Sequence, residues 1–405
     1  MKGTDLNLRH IEAIVGISRH GSISAASLAV NLSQPALTQA LAGIERTLGH
    51  RLFDRHPGGA VPSEAGRVFL ARCERALNLI VNGARALRRA AKMTPIPFIE
   101  RRIVMGQLRA LVAVERLGSY TLAARDIGLS QPSVHRAVKE LEEALEMVLL
   151  FRAGPTMRAT GPTERLVRAA RLAFAELQAG LDDLAAMRLV GSGRVIVGAL
   201  PLPRAGLLPE TLVAFARMQP SATVQVVEAP YADLLASLRC GEIDILLGAL
   251  RDPSPAPDVT QRILFRDGLT VVARVGHPLA DIESPNLTDL SRYPWVIAPQ
   301  GAPLRAKWEA MFDDVGMAPP SVRIECGSIL VIRGLLLSDD WLTLLSPDQF
   351  RIEAEAGLLR TIGDPVSDSM RKIGVTTRVD WWPTTAQAAF MAQLDVAATK
   401  RSSGN

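Results

Sequence analysis

The sequence predicts a multidomain α/β protein: two small helix-rich units with long linker helices, then a larger region in which strands and helices alternate. Three observations predict this fold class. The chain has 405 residues, which is too long for one ordinary domain. A segment of the N-terminal half recurs 97 residues later, and after Gly193 the apolar pattern changes from helical to strand–helix–strand.

The composition excludes several classes of protein. Apolar residues make up 48% and charged residues 21%, which is typical of a folded chain. No apolar run reaches the roughly 18 residues of a membrane helix, and the first residues lack the apolar core of a signal peptide. Cys73, Cys240 and Cys326 are too far apart for a disulfide framework or a zinc motif. We therefore expect a cytoplasmic protein without membrane contact, metal site or cofactor.

The net charge of +5 hides an asymmetry along the chain. Residues 1–190 contain 26 Lys and Arg against 17 Asp and Glu, a net charge of +9. The other 215 residues contain 20 against 24, a net charge of −4. A basic N-terminal part indicates a module that binds a polyanion such as nucleic acid, although uneven surface charge also occurs in proteins that do not.

The recurring segment is a duplicated small unit. Gly21–Pro35 (GSISAASLAVNLSQP) recurs as Gly118–Pro132 (GSYTLAARDIGLSQP). Between residues 21–55 and 118–152, 12 of 35 positions are identical without a gap, far more than chance gives. Self-similarity at a fixed offset indicates a repeated structural unit.

Each copy has the pattern of a helix-turn-helix followed by a β-hairpin. Apolar residues recur at helical spacing from Leu8, and Gly21 ends this first helix. Ser33 caps a later helix with Pro35 in its first turn, and Ser130 has the same position in the second copy. Two short helices joined by a tight turn form a helix-turn-helix, and the residues that follow predict a hairpin wing. We place copy one at 1–62 and copy two at 103–160, with a linker helix and a Pro-containing break in 63–102 and a second linker helix in 161–190.

The C-terminal half follows a different pattern. Apolar strands at 194–198, 223–227 and 243–247 are separated by segments with helical spacing at 207–218 and 231–240. Such alternation predicts parallel sheets, whose ligands bind at the carboxyl ends of the strands.

The repeated unit resembles the DNA-binding domain of LysR-type transcriptional regulators. Copy one matches the family pattern through LFDR at 52–55 and SEAG at 63–66. Copy two matches less well at its end, which reads TGP at 160–162. The usual family architecture has one such domain, and residues 103–405 alone have the size of an ordinary member. Residues 1–92 therefore look like an added N-terminal module.

The resemblance implies that the later helix of each helix-turn-helix enters the major groove of double-stranded DNA. The implied DNA-binding residues are Ser33, Gln34, Pro35, Thr38, Gln39, Arg55, Ser130, Gln131, Pro132, Ser133, His135, Arg136, Lys139, Arg152 and Arg158. Arg136 could form two hydrogen bonds to guanine, whereas Lys139 suits a phosphate. Copy one has Thr38 and Gln39 at the corresponding positions and no cation. Copy two is therefore predicted to be the stronger reader, and copy one could instead be a degenerate domain kept for packing.

Residues 193–400 resemble the LysR effector-binding domain, which is similar to periplasmic binding proteins and has two α/β lobes around a hinged cleft. Lobe one is expected at 193–267 and 358–400, and lobe two at 268–357. The family's pocket positions correspond to Leu202, Pro203, Arg204, Tyr231, Ala249, Arg251, Pro299, Gln300 and Ser328. Residues 335–346 are similar to the subgroup that regulates sugar-uptake and aromatic-acid genes, which implies a sugar or an aromatic acid as the small-molecule effector.

Three of these pocket positions leave alternatives open. Leu202 stands where many members have a small hydroxyl residue that holds a carboxylate, so we do not expect carboxylate capture there. Arg204 could supply the missing charge or be a surface arginine. Ser328 is expected at a helix N-terminus, where it could bind an anion or act only as a cap.

The resemblance also implies partners. In the family the linker helix pairs with its twin from another subunit, which implies a homodimer or homotetramer, and RNA polymerase is a further partner to expect. The leading hypothesis is a ligand-responsive transcription factor and not an enzyme. The alternative is a small-molecule-binding module without a DNA-reading role, which would leave the repeated unit unexplained.

Overall fold

The computed structural model describes residues 2–56 and 59–402. Copy one consists of α1 (Leu8–His20), α2 (Ile23–Val30), α3 (Gln34–Leu48), β1 (Phe53–His56) and β2 (Gly59–Pro62), followed by the long helix α4 (Glu64–Ala90). Copy two consists of α5 (Met105–Leu117), α6 (Tyr120–Ile127), α7 (Gln131–Leu145), β3 (Leu150–Ala153) and β4 (Thr156–Ala159), followed by α8 (Gly161–Arg188). Each strand pair is an antiparallel hairpin, although the turn of the first lies outside the described residues.

The same serine caps start the third helix of both copies. The Ser33 hydroxyl accepts a hydrogen bond from the Ala36 N–H at 3.4 Å, and the Ser130 hydroxyl accepts one from the Ser133 N–H at 3.2 Å. Each cap satisfies a backbone donor that would otherwise lack an intrahelical partner. These local interactions fix where α3 and α7 begin.

Each hairpin is hydrogen-bonded to the glycine that ends the first helix of its copy. Gly21 (φ 69°) and Gly118 (φ 64°) both adopt the left-handed conformation, which favours glycine. The Gly21 carbonyl accepts a hydrogen bond from the Ala60 N–H at 2.8 Å, and the Gly118 carbonyl accepts one from the Met157 N–H at 2.8 Å. The offset of 97 residues is therefore kept in the contacts as well as in the sequence.

The long helices α4 and α8 pack against each other as an antiparallel pair, which we call the linker pair. A Cβ atom at Gly83 would overlap the Cβ of Ala169, and one at Gly180 would lie 3.1 Å from the Phe69 ring. The end of α4 contacts the start of α8, and the start of α4 contacts the end of α8, so the two helices run in opposite directions. Apolar side chains of both copies and of the linker pair form one continuous core.

The resemblance predicts that a linker helix pairs with its twin from another subunit. In the structure α8 packs on α4 of the same chain. Both long helices belong to this one chain, and residues 91–104 connect α4 to copy two. Of the helices that the described residues form, none is long and apolar enough to cross a bilayer.

The C-terminal region contains two sets of strands. The chain runs through β5 (Ser192–Ala199), α9 (Leu207–Met218), β6 (Ser221–Val227), α10 (Tyr231–Arg239), β7 (Ile245–Ala249), β8 (Val259–Asp267), β9 (Thr270–Arg274), α11 (Leu287–Ser291), β10 (Val296–Ile297), α12 (Pro303–Asp313), β11 (Ile324–Glu325), α13 (Ile329–Ser338), β12 (Thr343–Leu345), α14 (Pro347–Glu355), β13 (Leu359–Ile362), β14 (Arg371–Arg378) and α15 (Thr385–Ser402). The sheet of lobe one has the order β6-β5-β7-β14-β8, in which β6, β5 and β7 are parallel and β14 is antiparallel to β7 and β8.

Lobe two contains the three-stranded sheet β12-β9-β13 and the parallel pair β10-β11. The strand β13 pairs with β9 through Leu359 and Arg274, so it belongs to lobe two. The predicted return to lobe one at residue 358 is therefore wrong, and the chain crosses back between β13 and β14. Pairing with a strand some 85 residues earlier is a tertiary contact, and the alternation of apolar residues does not reveal it.

Glycine substitutions test how closely the linker pair is packed. Gly83→Ala should lower the free energy of unfolding by about 1–3 kcal/mol because the added methyl overlaps Ala169. Gly43→Ala is the matched control, since Gly43 is also in a helix but has open space around its Cβ position. It should raise stability by about 0.5–1 kcal/mol through helix propensity. Urea unfolding of both variants measures the difference, and equal effects would contradict close packing.

Candidate DNA interface and effector cleft

The face of α7 that points away from the core carries polar side chains. Val134, Val138 and Leu141 are fully buried against copy two. The predicted reading residues Ser133, His135, Arg136 and Lys139 are all exposed, as are Gln131 and Pro132 in the first turn. The helical period thus separates a packing face from a face that is open to a ligand.

Three of these exposed residues already have a partner in the protein. The Lys139 ammonium lies 2.6 Å from the Glu142 carboxylate, and this contact raises the pKa of Lys139. The His135 ring lies 5.1 Å from the Tyr120 ring, and the Ser133 hydroxyl lies 2.8 Å from that of Ser130. Arg136 forms no ion pair with any described residue, so its guanidinium is available to a ligand.

The corresponding face of α3 is exposed but uncharged. Gln39 is exposed, and the Thr38 hydroxyl donates a hydrogen bond to the Gln34 carbonyl at 2.9 Å. The Gln34 amide in turn donates to the Ser24 hydroxyl at 3.0 Å. Copy one therefore offers hydrogen-bonding groups without the positive charge that copy two has.

Sequence reasoning missed the role of a glutamate that holds each wing against its recognition helix. The Glu142 carboxylate accepts hydrogen bonds from the backbone N–H groups of Leu149 at 2.8 Å and Leu150 at 3.3 Å. The Glu45 carboxylate accepts one from the Leu52 N–H at 2.7 Å. Glu45 and Glu142 are equivalent positions of the repeat. Their identity, which neither the core nor the DNA-reading face explained, was the sequence signal for this role.

The wing of copy two presents two cations. Arg152 and Arg158 are exposed on β3 and β4, and the Arg152 guanidinium donates to the Gly154 carbonyl at 3.2 Å. The side chain of Arg55, which is the copy-one equivalent of Arg152, lies outside the described residues. The structure therefore gives the wing geometry of copy two in more detail.

A buried arginine joins the linker pair to lobe one. Arg72 on α4 is 2% exposed, and its guanidinium lies 2.9 Å from the Glu176 carboxylate and 3.3 Å from the Asp183 carboxylate, both on α8. It also donates to the Trp382 carbonyl at 2.8 Å and lies 4.4 Å from the centroid of that indole. Asp183 accepts a further hydrogen bond from the Thr385 N–H at 3.1 Å. Arg72 thus contacts both linker helices and the effector region at one point.

The predicted effector residues follow the carboxyl ends of parallel strands. In lobe one, the segments after β5, β6 and β7 contain Leu202, Tyr231 and Arg251. In lobe two, Gln300 follows β10 and Ser328 follows β11, and these two strands are parallel neighbours. The ends of parallel strands are where open α/β sheets bind ligands.

The structure separates these residues into two groups. The Arg251 guanidinium lies 4.5 Å from the Tyr231 ring centroid, beside Ala249 at the end of β7. Burial raises the pKa of Tyr231, an effect that the Arg251 charge opposes, and its hydroxyl is buried without a hydrogen-bond partner among the described residues. Leu202 and Pro203 are buried, so their side chains serve packing in lobe one rather than an open ligand surface.

Two of the open alternatives are clarified by contacts. Arg204 forms an ion pair with Glu228, which offsets the positive charge that a ligand carboxylate would need. Ser328 is exposed at the start of α13, and its hydroxyl makes no capping hydrogen bond. Pro299 and Gln300 are exposed as well. Ser328 therefore keeps its hydroxyl for another partner, whereas Arg204 does not keep a free charge.

Removing the buried arginine tests its role at the junction. Arg72→Met should lower the free energy of unfolding by about 3–5 kcal/mol because it leaves the Glu176 and Asp183 carboxylates without their buried partner. Arg75→Met is the matched control, since Arg75 also pairs with Glu176 but its side chain is 36% exposed. It should cost about 1 kcal/mol or less. Equal losses in urea unfolding would show that burial of the pair is unimportant.

The loss in Arg72→Met should shrink as the pH is lowered. Burial raises the pKa of Asp183, and Arg72 opposes that rise, so its removal moves the folded-state pKa further above the unfolded value. Between the unfolded and the folded-state pKa, the folded variant holds a proton that the unfolded chain does not, so the cost of the unpaired Asp183 charge falls as the pH is lowered through this range. Unfolding experiments at about pH 7 and about pH 5 measure this change. A loss that is independent of pH would assign the effect to packing alone.

Comparisons with known proteins agree with this arrangement. The family model of the LysR substrate binding domain matches residues 190–398. The model of the bacterial regulatory helix-turn-helix protein of the lysR family matches residues 8–67 and 105–164.

Similar full-length proteins and structures come from the same group. The HTH-type transcriptional regulator GalR of Pseudomonas putida is 31% identical over 386 residues, which cover 95% of this chain and 96% of the relative. The regulator YdcI of Escherichia coli is 31% identical over 280 residues, which cover 69% and 91%. The crystal structure of CbnR, a LysR family transcriptional regulator, matches with a TM-score of 0.51 and 19% identity over 72% of this chain and 98% of that one.

A full-length OxyR from Pseudomonas aeruginosa matches with a TM-score of 0.52 and 20% identity, over 72% of this chain and 93% of that one. At these identities the structural matches show the fold, and they confirm the predicted fold class. Since the family models together cover more than half of the chain and a relative above 30% identity spans nearly all of it, this protein belongs to the LysR family of bacterial helix-turn-helix transcriptional regulators.

Proposed function

We propose that this LysR family regulator reads DNA with a duplicated winged helix-turn-helix and responds to a small molecule bound between its two lobes. The observation that carries the proposal is the exposed face of α7, where Arg136 forms no ion pair with any residue that the structure describes. The proposed division is copy one, copy two, their linker helices, and an effector domain with two lobes. A cytoplasmic location and the absence of enzymatic activity belong to the same proposal.

The recognition helix of copy two supplies both specificity and positioning. Arg136 can donate two hydrogen bonds to guanine in the major groove. Lys139 can exchange its ion pair with Glu142 for one with a DNA phosphate, and the exposed Arg152 and Arg158 of the wing are suited to the backbone. The α7 N-terminus, with Ser130, adds backbone donors for a phosphate. Copy two is thus the stronger of the two readers.

The effector site is built from the two groups of residues at the strand ends. The unpaired hydroxyl of Tyr231 and the Arg251 guanidinium offer a donor and a charge from lobe one. Gln300 and the free Ser328 hydroxyl offer polar groups from lobe two. This combination of one cation, an aromatic ring and hydroxyls suits a small organic acid or sugar acid. Arg251, and not Arg204, would bind the carboxylate of such a ligand.

An effector acts on DNA only if it binds two arrangements of the lobes differently. Closure of the two lobes satisfies this condition. In the closed arrangement the effector contacts the residues of both lobes, whereas in the open arrangement it contacts the residues of only one lobe. A homodimer or homotetramer, with RNA polymerase as a further partner, completes the proposed assembly.

Substitution of Arg136 tests the reading function. In gel-shift titrations at roughly physiological salt, the full chain should bind a selected duplex more tightly than a random one. Arg136→Ala should reduce the preference for the selected duplex by about 10-fold to 100-fold, the loss of one guanine contact. Arg292→Ala, an exposed arginine in lobe two, is the control and should leave the preference unchanged. If the wild-type chain prefers no duplex, the reading function is excluded.

Tyr231→Phe tests the effector site with two opposite effects. Removing a buried hydroxyl that has no hydrogen-bond partner among the described residues should raise the stability of the free protein by about 1 kcal/mol. It should also weaken binding of any ligand that the hydroxyl contacts by about 5-fold to 10-fold. Thermal shift with a panel of aromatic carboxylates and sugar acids, followed by calorimetry of the best one, measures both. A variant that binds every responding compound as well as the wild type does would exclude this site.

A further inference from the structure

The contacts of the linker pair are reciprocal. Gly83 packs on Ala169 and Leu166, and Gly180 packs on Arg72 and Phe69. Each residue of the second contact lies 97 residues from its counterpart in the first, which is the offset of the sequence repeat. When residue i of one unit meets residue j of the other and j meets i, the interface has two-fold symmetry. Copy one with α4 and copy two with α8 are therefore related like the two subunits of a two-fold dimer, although both belong to one chain.

The ends of the linker pair repeat this exchange. The His50 ring nitrogen lies 3.1 Å from the Leu184 carbonyl, so the end of α3 in copy one contacts α8. The Arg88 guanidinium donates to the Leu145 carbonyl at 2.6 Å, so the end of α7 in copy two contacts α4. Each recognition helix is thus supported by the linker helix of the other copy.

A further pair of contacts has the same symmetry with the charges reversed. Asp5 lies 3.6 Å from Arg109 on α5, and Glu12 on α1 lies 3.0 Å from Arg101. Arg109 is at the position equivalent to Glu12, and Arg101 is one residue before the position equivalent to Asp5. The two contacts thus join nearly equivalent parts of the copies, with the acid and the base exchanged. Copy one is therefore complementary to copy two and is no longer complementary to a second copy of itself.

The same is true inside the linker pair. The positions on α4 that correspond to Glu176 and Asp183 are Leu79 and Ala86. If two α4 helices from different chains paired in this geometry, Arg72 would be buried against apolar residues without a counterion. A buried charge without a partner is strongly destabilising.

Pairing of two α8 helices meets the opposite problem. Ala169 holds the position of Arg72, so Glu176 and Asp183 of both helices would be buried without a cation. Of the large apolar side chains on the two helices, only Met187 is exposed, so the stripe that could hold a second subunit is used within the chain. The connection through residues 91–104 keeps the two halves at high effective concentration.

We infer that one chain is a complete two-headed DNA reader, which recognises a site made of two unlike half-sites. The inference rests on the proposed function. The exchanged contacts of the linker pair extend to the ends of α3 and α7, so one chain holds both recognition helices in one assembly. Arg136 reads one half-site, where Lys139 contacts a phosphate, and Gln39 with Thr38 reads the other. Because the two faces differ in chemistry, the operator is asymmetric and its orientation is fixed.

The experiment is an in vitro selection of duplexes with the full-length chain, followed by footprinting and determination of the mass of the complex by analytical ultracentrifugation. We expect two unlike half-sites for every bound chain, whatever the number of chains in the complex. Replacing one half-site by a second copy of the other should weaken binding at least about 10-fold. A site of identical half-sites with one chain for each would overturn the inference and leave the proposed function intact. If no duplex is enriched, the proposed function itself fails.

Variants in the two recognition helices assign the half-sites. Gln39→Ala should relax the base preference in one half-site only, and Arg136→Ala in the other only, whereas Arg292→Ala should relax neither. The full chain is used in each case, with urea unfolding as a check on folding. If Gln39→Ala and Thr38→Ala leave both preferences unchanged, copy one serves packing alone and the chain has one reader.

Discussion

The antiparallel contact between α4 and α8 is the interaction on which the rest of this structure depends. It requires glycine at 83 and 180, because a side chain at either position would meet the other helix. It also requires a cation at 72 opposite carboxylates at 176 and 183. Close backbone approach and a buried charge network specify the partner as well as the geometry, since a different helix would leave charges unpaired. The positions of both recognition helices and of lobe one follow from it.

The two N-terminal copies have the same order of elements but differ in chemistry. The caps, the left-handed glycines and the glutamates that hold the wings are the same in both copies. The exposed faces of α3 and α7 are not, because copy two has an arginine and a lysine where copy one has glutamine and alanine. Residues that build the unit resist change, whereas exposed residues can diverge without cost to folding. The recognition face of copy two therefore carries cations that the corresponding face of copy one lacks.

The sequence was sufficient for features that depend on neighbours along the chain. Ser33 and Ser130 as caps, Gly21 as a helix end and the alternation after Gly193 are local signals, and the structure has the elements that they predict. The partner of the linker helix, the pairing of β13 and the burial of Leu202 and Pro203 depend on tertiary contacts between distant segments. Arg88 is a further feature that the sequence does not reveal. It lies in an arginine-rich segment that would be expected on the surface, yet its side chain is buried and donates hydrogen bonds to two backbone carbonyls.

The location of Arg72 constrains how an effector can reach the DNA. Rotating lobe one away from the linker pair would break the contacts of Arg72 with Trp382 and of Asp183 with Thr385. The contacts of lobe two with lobe one include two chain crossings, the Arg401–Asp348 ion pair at 3.2 Å and the approach of the Asp348 carboxylate to Gly206. The linker pair makes further contacts with lobe one through Arg75, Arg168 and Arg171. We therefore expect rotation of lobe two to cost less free energy than rotation of lobe one. We infer that lobe one moves with the linker pair as one body, and that lobe two carries the motion by which the effector acts on the rest of the assembly.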